Sequence, residues 1–410
     1  MKKQILRAGL FLLLLTILVM SWLGPVYAFT DGQKLLSEVW RIVDRAYLDD
    51  TYNNQNWWFV RQSALRQPLN SQEETYTAIQ RMLASLNDPF TRFLEPDQYR
   101  SLQTNTSGEL TGVGLQITRD SDAKELWVIT PIAGSPADQA GIRPRDRIIK
   151  INGVPTTNLA LDDAADRMRG PIGSHVVLTV RHDTGETLEV DLVRDRVSLN
   201  PVIAELRPQS QGINIGYIRL NQFNANATME VAHAVGQLEA QGADAYILDL
   251  RNNPGGLLQA GIEIARLWLD EGTIVYTVNR HGIQDSFSAS GRALTDDPLV
   301  VLVNQGTASA SEILAGALQD NQRAKLVGEQ TFGKGLIQSL FNLSDGSGLA
   351  VTIAKYETPN HHDINRHGIV PDVVVSLKPI SREQVATVLD EQYQAAVDLL
   401  TNHMVLAGAA

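Results

Sequence analysis

The chain has 410 residues, no cysteine, 35 basic and 46 acidic side chains, and a formal net charge of −11. The lack of cysteine excludes disulfides, thiolate metal sites and a cysteine nucleophile, and the acidic balance disfavours a nucleic-acid binder, which needs a basic face for phosphates. Hydrophobic residues make up 43 % and charged residues 20 %, an ordinary globular composition, and at about 100–200 residues per domain the length allows two to four domains.

Met1–Arg7 carries Lys2, Lys3 and Arg7 and no acid, Ala8–Leu23 is almost wholly apolar, and Val26-Tyr27-Ala28 suits a cleavage site. This pattern predicts a secretory signal peptide over residues 1–28, since its 16-residue apolar run is shorter than the roughly 20 residues that span a bilayer. Its removal leaves a mature chain of charge about −14 in a compartment outside the cytoplasm. Residues 29–106 read as helical: Leu35-Leu36, Val39-Trp40 and Val43 recur at helical spacing, as does Tyr76–Leu83. Asn87-Asp88-Pro89 signals a turn, and Pro89 and Pro96 break the run.

Residues 107–197 change to short β-rich runs at Gly114–Arg119, Leu126–Thr130, Arg147–Ile151, Val176–Arg181 and Thr187–Leu192, with short helices over Pro136–Gly141 and Leu159–Met168. Thr111-Gly112-Val113-Gly114-Leu115, Gly134-Ser135-Pro136-Ala137 and Gly141-Ile142-Arg143-Pro144-Arg145-Asp146 resemble the corresponding segments of PDZ domains. The resemblance implies that Thr111, Gly112, Val113, Gly114 and Leu115 form a loop whose N–H groups hold a terminal carboxylate while an exposed strand edge pairs with the peptide. Attachments near Gly108 and Asn200 are expected to be flexible and to let this domain cover or uncover a site elsewhere, with Arg167 or Arg169 sensing a bound tail.

From residue 198 strands and helices alternate, which predicts an α/β core over 198–380 with its chemistry in the loops after the strands. Ser381–Thr401 reads as one long helix opened by Ser381-x-x-Gln384, within a C-terminal segment 381–410 packing on the core. Two strand ends stand out. Leu248-Asp249-Leu250-Arg251-Asn252-Asn253-Pro254-Gly255-Gly256 runs a buried strand into a glycine turn and a helix, leaving N–H donors that suit a phosphate or an oxyanion. No Walker lysine follows and G-x-G-x-x-G is absent. Thr307-Ala308-Ser309-Ala310-Ser311-Glu312 places serines at a helix start, where Ser309-x-x-Glu312 also fits a capping box.

There is no G-x-S-x-G elbow, and His361, His362 and His367 lie in a polar loop without a known metal-ligand spacing. Lysine can replace histidine as a base: Lys334 sits in Thr331-Phe332-Gly333-Lys334-Gly335-Leu336-Ile337-Gln338, between glycines that permit a backbone driving the side chain inward. A free lysine is neutral roughly once in 2,500 molecules at pH 7, a cost of about 4.6 kcal/mol, and burial lowers that cost.

Together these three segments, with Asn87–Pro96 and Asp363–Asp372, resemble the carboxyl-terminal processing (tail-specific) serine proteases. The resemblance covers essentially the whole mature chain and is nearest to the photosynthetic members. It implies a helical N-terminal region, a PDZ domain and a crotonase-like α/β catalytic core. Residue by residue, it makes Ser309 the nucleophile, Lys334 the general base and Gln338 the residue that orients its amine, with Gly255 and Ala310 N–H groups as the oxyanion hole. Asp249, Arg251 and Glu312 would support the site, Arg251 and Glu312 as an ion pair or hydrogen-bond frame. Ser311 is the confounder that only the resemblance sets aside. No cofactor or metal is implied. The implied partner is the C-terminal tail of a protein substrate, with the photosystem II reaction-centre D-one precursor as the specific expectation and the thylakoid lumen or periplasm as the compartment. Rival readings are a general tail-specific protease and an inactive peptide-binding protein.

Overall fold

The computed structural model describes residues 29–408 apart from 120–124, 133, 183, 210–211 and 377–379, so the signal-peptide expectation lies outside the described residues. The described residues fall into two units, one within 1–95 together with 339–351 and one within 96–338 together with 352–410.

In the first unit, helices α1 (Asp31–Ala46), α2 (Trp57–Leu65) and α3 (Gln72–Ala84) follow the helical spacing of the sequence. Thr30 starts α1 with a reciprocal cap, its Oγ1 accepting from Gln33 N–H at 3.2 Å while Gln33 Oε1 accepts from Thr30 N–H at 3.1 Å. Leu36, Val39, Val43 and Ile79 are fully buried on the facing stripes. The expectation of helix throughout fails at β1 (Arg92–Leu94), which pairs antiparallel with Gly348–Ala350. A partner more than two hundred residues away outweighs local helical period. Pro96 opens rather than ends a helix, because the first helical position needs no N–H.

The second unit begins with α4 (Pro96–Ser107) and contains the β-rich module. Its strands are β2 (Glu109–Gly112), β3 (Leu115–Arg119), β4 (Leu126–Pro131), β5 (Arg147–Ile151), β6 (Val154–Pro155), β7 (His175–Arg181), β8 (Thr187–Val193) and β9 (Asp195–Ser198), with helices α5 (Pro136–Gln139) and α6 (Leu161–Met168). The order β3-β4-β5-β7-β8 leaves β3 at a sheet edge, and β2 pairs only with β9. That β2–β9 ribbon is the attachment. Leu199 N–H donates to Gly108 O at 2.8 Å, and Asn226 Nδ2 donates to the same carbonyl at 2.8 Å. The two expected flexible attachments are therefore one hydrogen-bonded neck.

Beyond it, β10 (Val202–Pro208), β11 (Asn214–Leu220) and β12 (Ala245–Asp249) lead into the core with α7 (Ala227–Ala240) and α8 (Leu258–Arg266). The hairpin β13 (Thr273–Asn279) and β14 (Gly282–Ser288) follows, then β15 (Leu299–Val303), α9 (Ala310–Asp320), β16 (Ala324–Gly328), β17 (Leu336–Asn342), β18 (Gly348–Glu357), β19 (Val373–Val374) and α10 (Glu391–Gly408). The main sheet runs β10-β11-β12-β15-β16-β19, parallel except for the edge strand β10. Strand alternation sends Tyr246 and Leu248 to the α7–α9 side and Ala245 and Ile247 to the α10 side. The C-terminal helix starts at Glu391, ten residues later than expected. Ser381-x-x-Gln384 opens only a 3₁₀ turn, and Asp390 makes the cap, its Oδ1 accepting from Tyr393 N–H at 3.1 Å.

Candidate active site

Ser309 precedes α9 in a backbone conformation that L-residues rarely adopt, φ 60° and ψ −119°. The turn is held from below: Thr307 Oγ1 donates to Leu250 O at 2.9 Å, and Ala308 N–H donates to Asn253 O at 3.0 Å. Ser311 is fully buried with its hydroxyl donating to Asn253 O at 3.0 Å, whereas Ser309 is half-buried. Ser311 is thus a fastener, while Ser309 keeps part of its surface open.

Glu312 does much more than cap α9. Its carboxylate, with no exposure to solvent, accepts from Ser309 N–H at 2.8 Å and Lys334 N–H at 2.9 Å through Oε2. Through Oε1 it accepts from Thr331 Oγ1 at 2.6 Å and Gly333 N–H at 2.7 Å. Four donors replace its hydration, as a buried carboxylate requires. The same side chain therefore fixes the backbone of Ser309 and of Lys334. Phe332 N–H donating to Thr307 O at 3.0 Å adds a further tie between those loops.

The glycines around Lys334 have a steric reason. A Cβ on Gly335 would lie 2.5 Å from Asn365 N, and one on Gly333, whose φ is +86°, would lie 3.0 Å from Gly368 N and Arg366 C. The 365–368 segment passes over the loop and leaves Lys334 half-buried. Tyr356, on β18, donates from its backbone to Gly335 O at 3.0 Å and from its hydroxyl to Lys334 O. Burial and the nearby Glu312 charge push its phenol well above the usual range, so it is a neutral hydroxyl. Four residues after the lysine, Gln338 Nε2 is buried with no hydrogen-bond partner among the described residues.

The glycine turn touches the serine turn. A Cβ on Gly255 would come within 2.6 Å of Ala308 O and 2.9 Å of both Ala310 N and Ser309 Cβ. Gly255 N–H donates to Asn253 Oδ1 at 2.9 Å, while Asn253 Nδ2 donates to Leu220 O at 2.7 Å. Asn253 thus braces both turns.

Asp249 and Arg251 belong to a different cluster. Arg251 donates from Nε and Nη2 to Asp249 at 2.9 and 2.7 Å and from Nη1 and Nη2 to Asp390 at 2.8 Å each. All three are buried, and Tyr217 donates to Asp249 Oδ2 at 2.7 Å. Burial works against the Arg251 charge, but the two carboxylates outweigh it and hold the guanidinium protonated. Burial also opposes ionisation of Asp390, yet the hydrogen bonds and charge of Arg251 keep its carboxyl below the usual range. The expected Arg251–Glu312 frame is therefore two frames: Arg251 pairs with Asp249 and Asp390, and Glu312 is held by uncharged donors. Asn253, Thr331, Tyr356 and Asp390 were not singled out from sequence. Asn253 and Thr331 carried a signal, as parts of the glycine-turn and lysine motifs.

In the β-rich module, β3 and α6 flank a cavity of about 70 Å³ lined by Val113, Leu115, Ile117, Ala165 and Met168, with Arg169 at its margin. Gly114, at φ +76°, leads into β3, and a Cβ there would lie 2.2 Å from Ser135 Cβ. The expected loop is shorter than Thr111–Leu115: Thr111 and Gly112 end β2, paired with Arg196 and Asp195, Leu115 starts β3, and only Val113 and Gly114 turn between them, beside the apolar groove and the edge strand β3.

These features define a peptidase-like α/β site with a peptide-binding module, and comparison with known proteins gives the family. Residues 214–375 match peptidase family S41 and residues 127–182 match the PDZ domain. A carboxyl-terminal-processing protease of Picosynechococcus sp. is 58 % identical over 99 % of both chains, and one of Synechocystis sp. is 61 % identical over 93 % of this chain and 89 % of that one. Among solved structures, the photosystem II D1 C-terminal processing protease is 42 % identical with a TM-score of 0.57, covering 89 % of this chain and 99 % of that one. The chain belongs to peptidase family S41. It is a serine-type carboxyl-terminal-processing protease bearing a PDZ domain. Among the described residues no helix is long and apolar enough to cross a membrane.

Proposed function

We propose that Ser309 and Lys334 form the catalytic pair and that the protein removes a C-terminal extension from an exported substrate. The observation that carries this reading is the Glu312 carboxylate binding the backbone N–H of both residues, which sets the nucleophile and the base in one rigid frame. As Ser309 Oγ bonds to the scissile carbonyl carbon, its proton passes to the neutral Lys334 amine, and the carbonyl π electrons move to oxygen. Collapse of that intermediate breaks the C–N bond, Lys334 returns the proton to the leaving amine, and water then releases the acyl-enzyme by the same proton route. The buried Gln338 amide is suited to orient the lysine amine. Ala310 N–H at the start of α9, with Gly255 N–H released from or shared with Asn253, would stabilise the oxyanion.

The substrate tail would lie along the β3 edge with its carboxylate at Thr111–Leu115 and its last side chain in the groove over Met168. Photosystem II names one solved relative, and other relatives are chloroplastic. The D-one precursor is accordingly the proposed substrate, met in the thylakoid lumen or periplasm after export. Incubating the purified protein with a peptide of the precursor tail and reading the products by mass spectrometry tests this. One cut that releases the extension supports it. Cutting of unrelated apolar-ended tails at equal rates favours a general tail-specific protease instead.

A further inference from the structure

The two turns that carry the proposed oxyanion donors, Gly255 N–H and Ala310 N–H, are tied together through one residue. Asn253 has no exposure to solvent. Its main-chain carbonyl accepts from Ala308 N–H and from the Ser311 hydroxyl, each at 3.0 Å, and so grips the serine turn from both sides. Its side chain grips the glycine turn: Oδ1 accepts from Gly255 N–H at 2.9 Å, and Nδ2 donates to Leu220 O, at the end of β11, at 2.7 Å. Those two partners settle which end of the amide is oxygen and which is nitrogen. A Cβ on Gly255 would lie 2.9 Å from both Ala310 N and Ser309 Cβ, so the two turns pack backbone to backbone.

We propose that Asn253 is the positioning residue of the oxyanion hole: its carbonyl sets the serine turn, its amide sets the glycine turn, and its Oδ1 holds Gly255 N–H until the oxyanion takes it. This deepens the Ser309–Lys334 reading and rests on it. A buried N–H without an acceptor is costly, and a turn with glycines at φ +92° and +150° has little stiffness of its own to keep one orientation. Asn253 supplies the acceptor in the free enzyme. A neutral substrate carbonyl offers Gly255 N–H no better bond than the amide oxygen does, whereas an oxyanion offers a charge-assisted bond about twice as strong. The hand-over therefore occurs as charge develops, where a bond raises kcat rather than lowering KM. No proton is transferred; Gly255 N–H exchanges one acceptor for another. A carboxylate in place of the amide would face Leu220 O with an acceptor and set a negative charge beside the developing one.

Pro254-Gly255 is the only Pro-Gly pair in the sequence, so isotope labels on proline carbonyls and glycine nitrogens give the Gly255 amide one NMR signal of its own in the full chain. The probe is a peptidyl trifluoromethyl ketone, whose carbonyl carbon bonds to Ser309 Oγ to form a hemiketal oxyanion; the matching peptide without the ketone is the ground-state control. The Gly255 amide proton should move downfield with the ketone and stay in place with the plain peptide. In Asn253→Ser, kcat on a quenched-fluorescence peptide with an apolar free C-terminus and affinity for the ketone should both fall about 10- to 100-fold, with KM within about twofold. A Gly255 signal unmoved in the adduct overturns the proposal, and so does Asn253→Ser with wild-type or raised kcat, or with unchanged ketone affinity. The NMR measurement uses wild-type protein and decides alone if the serine variant does not fold. Fluorine NMR of the ketone separates the two readings. No hemiketal in wild type, or one that persists in Ser309→Ala, means that the nucleophile is wrong; a hemiketal on Ser309 beside an unmoved Gly255 amide means that only the Asn253 role fails.

Discussion

Two buried clusters of charge stand at strand ends of the same sheet, and they are built on opposite principles. At Arg251 a guanidinium is neutralised by the carboxylates of Asp249 and Asp390, joining β12 to the cap of the C-terminal helix. At Glu312 a carboxylate is solvated by N–H and O–H groups of the Ser309 and Lys334 loops. The first cluster ties together chain segments 139 residues apart. The second fixes the backbone of the proposed nucleophile and base through uncharged donors. A buried ion pair is a sound staple but a strong local field. Keeping it on the α10 side of the sheet leaves the protonation of the serine and lysine to their own contacts.

The comparison breaks most sharply under substitutions at the proposed nucleophile and base. Ser309→Ala and Lys334→Ala should each lower kcat/KM by about 10⁴-fold or more, with thermal unfolding within a degree or two of wild type; steady-state assay and calorimetry check both. Glu312→Gln should come next. Its amide presents a donor to groups that are all donors, so kcat should drop about 100-fold and stability by a few kcal/mol. Arg251→Met should do the reverse, leaving two buried carboxylates unpaired at a cost of about 3–5 kcal/mol while the folded fraction stays active. If Arg251→Met were stable but inactive, the two clusters would not be functionally distinct.

A milder test uses acid. Asp390 is held below the usual carboxylate range in the folded protein, so the stability it contributes is present above its unfolded pKa of about 3.9 and is lost as pH falls through the lower folded value. Urea unfolding at pH 6 and pH 3 should therefore show acid weakening, and Asp390→Asn should be less stable at pH 6 with a flatter acid response. The smallest effect belongs to the groove. Gly114→Ala forces a Cβ into Ser135 at positive φ, and should raise KM for peptides with a free C-terminus by about tenfold with kcat nearly unchanged.

Much of the fold was readable because period and punctuation agreed with it: β15 and Ala245–Leu248 of β12 are continuous apolar runs, and α7 and α8 carry a helical stripe. What escaped depended on distant partners. Arg92–Leu94 is a strand only because Gly348–Ala350 lies beside it, and the exposed β14 has no apolar alternation to betray it. In the site, motif residues stood out because glycines and serines at strand ends are unusual there. Asp390 looked like part of a tail helix, and Tyr356 like an ordinary inward residue of β18. Neither position signals its hydrogen-bond partner locally. Ser309 and Ser311 were indistinguishable by residue type, and what separates them, one hydroxyl fastened to Asn253 O, is a tertiary contact.

The central claim is that Ser309 is the reacting hydroxyl and Lys334 its base. Labelling the intact protein with a fluorophosphonate and mapping the adduct by peptide mass spectrometry, in wild type and in Lys334→Ala, addresses both halves at once. The account predicts a single adduct on Ser309 in the wild type, forming faster as pH rises, and almost none in Lys334→Ala. An adduct on Ser311, or undiminished labelling of Ser309 without the lysine, would contradict it.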